Sequence, residues 1–251
     1  MSMITNSRDP HSSQIDETFG SREHSNPYDR PTITNGRFMP VLQRVFVLLL
    51  VCASQTACAL LFPTEAGESL SHFDATAPAE SAPAPDFELV DIDGDKVALH
   101  DLVGEKPIVV QLGSYSCPVF RYRRFDMQEL QREFAGRVGF VVVYTQEAHP
   151  VDSINPYADR VWNPWINKIA RVNVPEHKSA RQRRAQASAT FDIVGLDSRF
   201  LVDGMDNAVW RQYGAAPSAA YVLDLQGKIY LRQPWVYPKE IRKALNEILA
   251  E

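Results

Sequence analysis

A single cysteine sits where a protein backbone most readily activates a thiol. In 108-IVVQLGSYSCPVFRYRRFDMQEL-130 an apolar run ends in Gly113-Ser114-Tyr115-Ser116, and Cys117-Pro118 then open a helical pattern. The first N–H groups of a helix have no intrahelical partner, and together with the helix dipole they favour an anion. A thiol placed there is drawn toward thiolate, its nucleophilic form, so a depressed pKa is expected for Cys117. Pro118 suits the first helical position, because the N–H it lacks would be unpaired there. The competing reading is an inert buried cysteine serving as a small apolar side chain.

The available partners decide which thiol chemistry follows. Cys117 is followed by Pro118, Val119 and Phe120, so there is no Cys-x-x-Cys pair, and Cys52 and Cys58 lie far upstream in an apolar stretch. An intermediate formed on the one sulfur must be resolved by an outside thiol. An external thiol reductant is therefore expected, with no bound cofactor and no metal.

The elements around Cys117 are legible from periodicity. Residues 87–102 alternate apolar and polar about Asp93-Gly94, a hairpin signal. Runs at 108–112 and 139–144 suit buried strands, and 119–137 carries Phe120, Met127, Leu130 and Phe134 on one helical face. A long loop with Pro150, Pro156 and Pro164 follows, then a polar helix from about Ser179. After it come a short strand at 200–202 and a short helix at 207–213. A hairpin across 225–227 and an amphipathic helix at 238–249 close the chain. This is the thioredoxin-like α/β arrangement, here with an N-terminal β-hairpin extension and a long loop insertion. Pro217, just before a strand, fits the proline that borders the active site in that fold. The strands 108–112 and 140–144 should end at one sheet edge, where α/β sheets place ligands.

Ahead of the domain the chain changes character. Residues 1–38 are polar and read as a disordered leader, with Met39 as an alternative start. Within 39–58, the run 45-VFVLLLVCA-53 is shorter than the ~18 apolar residues of a spanning helix and matches a signal-peptide core. Ser54-Gln55-Thr56-Ala57-Cys58 is similar to a bacterial lipoprotein processing site, which makes Cys58 a candidate lipid anchor. Residues 59–85 are rich in Ala, Pro, Ser and Glu and read as a tether, so the folded domain is expected over 86–251. The expected location is outside the cytoplasm, anchored to a membrane. A net charge of −5 gives no sign of a nucleic-acid surface. A homodimer stays open.

Several ordered segments together resemble the iodothyronine deiodinase family. Gly113-Ser114-Tyr115-Ser116-Cys117-Pro118 is similar to its active-site segment, with Cys117 where the animal enzymes carry selenocysteine. Downstream, 142-VVYTQEAHPVDS-153 matches a strand followed by Glu-Ala-His-Pro, 174-VPEHKS-179 a Pro-x-His segment, and 201-LVDGMDN-207 a Leu-x-Asp-x-Met-x-Asn segment. The resemblance implies Cys117 as nucleophile, Glu147 and His149 in proton delivery, and His177 in substrate positioning, with Ser116 and Pro217 at the substrate. A carboxylate near an imidazole can hold its tautomer and raise its pKa, so Glu147 is expected to support His149. The implied reaction is reductive dehalogenation of a halogenated aromatic.

The sequence departs from the family at three places. Cysteine replaces selenocysteine, Tyr115 stands where the animal enzymes carry a cysteine, and the family's substrate-clamping arginine falls on Ala219. Trp162 and Trp165 in the long loop either line an aromatic pocket or pack the loop onto the domain. Two alternatives remain: a one-cysteine thiol peroxidase acting on peroxides, for which Ser114-x-x-Cys117 is half of the signature, and a tethered redoxin-like module without activity.

Overall fold

The structure, a computed structural model, describes residues 72–158 and 160–250. The leader, the apolar segment with Cys58 and the tether as far as residue 71 lie outside the described residues. Among the described residues no helix is long and apolar enough to cross a membrane.

The alternating segment folds as the hairpin β1 (Glu88–Asp91) and β2 (Lys96–Ala98). Its turn is held by Asp91, whose Oδ1 accepts the N–H groups of Asp93, Gly94 and Asp95 at 3.1, 2.9 and 2.9 Å. The apolar runs become β3 (Ile108–Gly113) and β4 (Gly139–Tyr144), followed by β5 (Arg199–Val202), β6 (Ala220–Leu223) and β7 (Ile229–Gln233). The helices are α1 (Pro118–Glu133), α2 (Trp165–Ile169), α3 (Ala180–Val194), α4 (Ala208–Gln212) and α5 (Pro238–Ile248). One mixed sheet of seven strands runs in the order β2-β1-β5-β4-β3-β6-β7. The central strands β3, β4 and β5 are parallel, and β1 and β6 flank them antiparallel. This is a thioredoxin-like α/β fold.

Strand alternation sorts the core into two layers, because successive side chains point to opposite faces. Val109, Val142, Phe200 and Val222 pack with Phe120 and Leu130 of α1 and with Ile241 and Leu245 of α5. Val110, Val143, Leu201 and Tyr221 pack on the other face with Phe73, Phe87, Val209 and Tyr213. Every residue of β3 is buried, as expected of a central strand covered on both sides. Ser179 caps α3 by accepting the N–H of Gln182, and Gly195 ends that helix at φ 60°.

The compositional tether ends earlier than residue 85. Residues 72–76 are helical, and Phe73 is fully buried with its ring 6.2 Å from that of Tyr221. A Cβ on Gly214 would lie 2.7 Å from both Phe73 and Ala77, so only glycine allows this close approach. Residues 81–84 then run along the edge of the sheet: Ser81 N–H donates to Ile229 O at 2.7 Å and Ala84 N–H to Gly227 O at 3.0 Å. Averaged composition hides one aromatic anchor among Ala and Pro, and one anchor is enough to dock the strand. The long loop likewise holds a helix, α2, that its five residues are too few to reveal by periodicity.

Candidate active site

Cys117 is the N-cap residue of α1, with Pro118 in the first turn. The close approach of that helix depends on Gly113, where a Cβ would meet the Phe120 ring at 2.3 Å. Cys117 itself is 1% exposed. Burial pushes its thiol up to about 11, although the backbone N–H groups of Phe120 and Val119 and the Arg121 guanidinium pull the other way. The expectation of a depressed pKa is thus corrected: helix N-terminal stabilisation is present, but desolvation exceeds it.

The ends of β3 and β4 bring two loops together, and two serines clasp them. Ser114 Oγ accepts the N–H of Ala148 at 3.0 Å, and Ser116 Oγ accepts the N–H of His149 at 2.9 Å. Ser116 N–H donates to Glu147 Oε2 at 2.8 Å, and its carbonyl accepts from Asn167 Nδ2 at 2.8 Å. The backbone and side chain of Ser116 are therefore committed to holding the site's two loops and α2 in place. Glu147 is 3% exposed and also accepts a short hydrogen bond from the Tyr144 hydroxyl. Burial raises its pKa, against the pull of Ser116 and Tyr144 and the more distant Arg183.

Glu147 does not support His149. Its imidazole neighbour is His177, whose Nε2 lies 3.5 Å from Glu147 Oε1. His149 instead takes its tautomer from Asn155, a residue that carried no signal in the sequence. Asn155 Nδ2 donates to Ala148 O at 2.6 Å, and its Oδ1 accepts the Tyr157 N–H at 2.7 Å, so the amide orientation is fixed from both ends. The same Nδ2 faces His149 Nδ1 at 2.8 Å. His149 Nδ1 must then accept, which leaves the proton on Nε2. Trp162 adds a backbone hydrogen bond to this ring and stands edge-on to it at 4.8 Å. Burial pushes His149 down to about 4, and burial followed by the Arg183 charge does the same to His177. Both rings are neutral near pH 7. Neither ring nitrogen of His177 has a hydrogen-bond partner among the described residues.

Arg183, 3% exposed, was also missed. Its Nη1 donates to Gly204 O at 2.5 Å and to Asn207 Oδ1 at 2.8 Å, and Asn207 Nδ2 donates to Gln146 Oε1 at 3.1 Å. Asp203 accepts from Val209 N–H at 3.2 Å and Trp210 N–H at 2.9 Å, capping α4. The 201–207 motif therefore braces a buried arginine behind Glu147. Pro217 is buried near the end of β3, since Leu112 N–H donates to Ala219 O at 2.9 Å. Ala219 points into the layer opposite Cys117, among Leu112, Tyr213 and Tyr221. Its position is a core position rather than a substrate contact. Of the two loop tryptophans, Trp162 packs against His149, and Trp165 is 56% exposed.

The domain is thioredoxin-like, and Cys117, the one cysteine among its described residues, stands at a helix N-terminus near a buried carboxyl. The Iodothyronine deiodinase family model matches residues 46–249, and the chain belongs to that family. It is 30% identical to a thyroxine 5-deiodinase of Gallus gallus over 151 residues, covering 59% of this chain and 54% of the relative. It is 28% identical to a type I iodothyronine deiodinase of Xenopus laevis over 169 residues, covering 65% and 62%. The chain thus spans between about half and 62% of the length of these relatives. Among solved structures it is similar to the exposed lipoprotein thioredoxin Etrx1 of Streptococcus pneumoniae, at a TM-score of 0.43 and 18% identity over 65% of this chain and 99% of that one.

Proposed function

We propose that the protein is a thiol-dependent reductive dehalogenase of halogenated aromatics, with Cys117 as nucleophile and Glu147 as proton donor. The observation that carries this reading is the Ser116 bridge: the residue before the thiol donates its backbone N–H to a buried carboxyl that burial keeps protonated more readily than in water. Cys117 sulfur takes the halogen, so that the carbon–halogen bond breaks as a sulfur–halogen bond forms, and the ring carbon takes a proton from Glu147. The proton lost from the Cys117 thiol balances the one that Glu147 gives, and Tyr144 and His177 are the groups in contact with Glu147. An external thiol then attacks the Cys117 sulfur and expels halide, and a second thiol releases Cys117 from the mixed disulfide. Net, one carbon–halogen bond and two thiols give a carbon–hydrogen bond, a hydrogen halide and a disulfide. His149, neutral and held on Asn155, would donate to a ring oxygen through Nε2–H once that proton leaves the Trp162 backbone carbonyl. Cys117 is buried, so the site must open for substrate to reach its sulfur.

The test is turnover with dithiothreitol, comparing iodinated phenols with hydrogen peroxide. Cys117→Ser should abolish carbon–iodine cleavage with the fold intact by circular dichroism. Glu147→Gln should lower kcat by about 10²–10⁴-fold with little change in KM, the range for a general acid. Rapid peroxide reduction with every carbon–iodine bond intact would replace this reading with the thiol peroxidase.

A further inference from the structure

The loop insertion has two faces with opposite characters. Inward, Asn155 and Trp162 hold His149, and Asn167 ties α2 to Ser116 O at 2.8 Å and to Arg121 at 2.5 Å. Outward, Ile154, Val161, Trp165, Ile166 and Ile169 are 67, 54, 56, 39 and 70% exposed. The Asn155 N–H to Arg160 O bond, at 3.0 Å, brings Ile154 and Val161 to the same end of the loop. Its base is closed by Val151 N–H to Val174 O at 3.0 Å and by Asp152 to Glu176 N–H at 2.7 Å. On α1, which Arg121 links to α2, Tyr122 and Phe125 are 73 and 60% exposed. Scattered apolar residues on a surface need no explanation, but a group of this size over a buried thiol does.

We infer that residues 154–158 and 160–169 belong to a lid whose outer face docks on an anionic lipid surface, and that docking uncovers Cys117. Charge argues for a bilayer over another apolar partner. Apart from Arg121, which is turned inward onto Asn167, residues 118–126 and 150–171 carry five basic side chains (Arg123, Arg124, Arg160, Lys168, Arg171) against three acidic ones, in a chain of net charge −5. Basic residues beside Trp, Tyr and Ile are the composition of a membrane-interface face. The coupling is built into the same segment. Moving it outward breaks the Asn155, Trp162 and Asn167 contacts, which are the ones that close over His149 and the loop before Cys117. The inference is independent of the reaction and needs only that the thiol is covered.

The experiment uses the full chain with Cys52→Ser and Cys58→Ser, so that Cys117 is its one thiol, reconstituted in vesicles. Phosphatidylcholine alone is compared with phosphatidylcholine mixed with phosphatidylglycerol, and the vesicle-bound fraction is measured in both, so that modification is compared per bound chain. In the anionic vesicles, modification of Cys117 by a water-soluble maleimide should rise about tenfold, as for a local opening reaction. Bromine-labelled lipid should quench tryptophan emission there. Trp165→Ser with Ile169→Ser, and separately Lys168→Glu with Arg171→Glu, should return both readouts to the neutral-vesicle value with unchanged circular dichroism. For the charge variant that means a loss in docking of at least roughly thirtyfold, about fivefold for each basic residue lost, before the repulsion of the two added carboxylates is counted. Equal modification in the two vesicles without quenching overturns the inference, as does a gain that survives both variants. A gain that tracks protein-to-lipid ratio, with lid-to-lid cross-links, overturns it in favour of a second copy of the chain.

Discussion

Acidification should destabilise the domain through two buried histidines. His149 and His177 are each 8% exposed and are pushed down to about 4. In an unfolded chain a histidine titrates near ~6.5. Above that pH both rings are neutral in both states, and the folded chain is at no disadvantage. Below it the unfolded chain takes up protons that the folded chain refuses, so stability falls with pH until about 4, where the folded rings protonate too. At roughly 1.4 kcal/mol per pH unit, each ring costs about 2 kcal/mol at pH 5 and about 3 at pH 4. Two rings at pH 5 therefore remove about 4 kcal/mol from a total that is typically only ~5–15. Glu147 and Asp203 act with the opposite sign. Burial raises both, so the folded chain takes up their protons first as pH falls, and part of the loss is offset. Subtraction isolates the histidines. Urea unfolding at pH 7.5 and pH 5 should show His149→Gln and His177→Gln each losing about 2 kcal/mol less than the wild type over that interval. If either variant keeps the wild-type slope, its ring is not buried neutral and the tautomer argument for His149 loses its support.

Three further outcomes follow from particular contacts. Ala219→Arg would place a guanidinium in the apolar layer opposite the thiol, so denaturant unfolding should show a loss of about 3–5 kcal/mol, with no improvement in KM for an iodothyronine. Phe73→Ala should cost about 3–5 kcal/mol if the end of the tether belongs to the core, and nothing measurable if it does not. Asn155→Asp replaces a donor to His149 Nδ1 by an acceptor; imidazole nitrogen shifts should show the proton moved to Nδ1 and the ring pKa raised.

The fold was largely legible in the sequence because its signals are local. Apolar runs at 108–112 and 139–144, alternation around Asp93-Gly94 and the one-sided pattern of 238–249 each report how much of a segment is buried, and that is what periodicity records. The position of Cys117 at a helix start was equally local, since Pro118 and the small polar residues before it mark the boundary. Their placement at one sheet edge needed only the rule that parallel strands end together.

What tertiary structure alone decided are the pairings and the dielectric. Glu147 and His149 are two residues apart, yet their side chains take different partners: His177 comes from the far end of the insertion and Asn155 from its beginning. Asn155 and Arg183 had no motif to announce them, because an amide or a guanidinium is ordinary on a surface and becomes informative only when buried against a specific atom. Ala219 could not be assigned to a face by alignment, since one step along a strand turns a side chain from the thiol to the opposite core. The thiol's own pKa turned on the same limit. Helix position, which the sequence contains, draws Cys117 toward thiolate, whereas burial beneath a segment thirty to fifty residues away in the chain sends it up to about 11. Desolvation is a property of everything folded over the atom, and no window of sequence around Cys117 contains it.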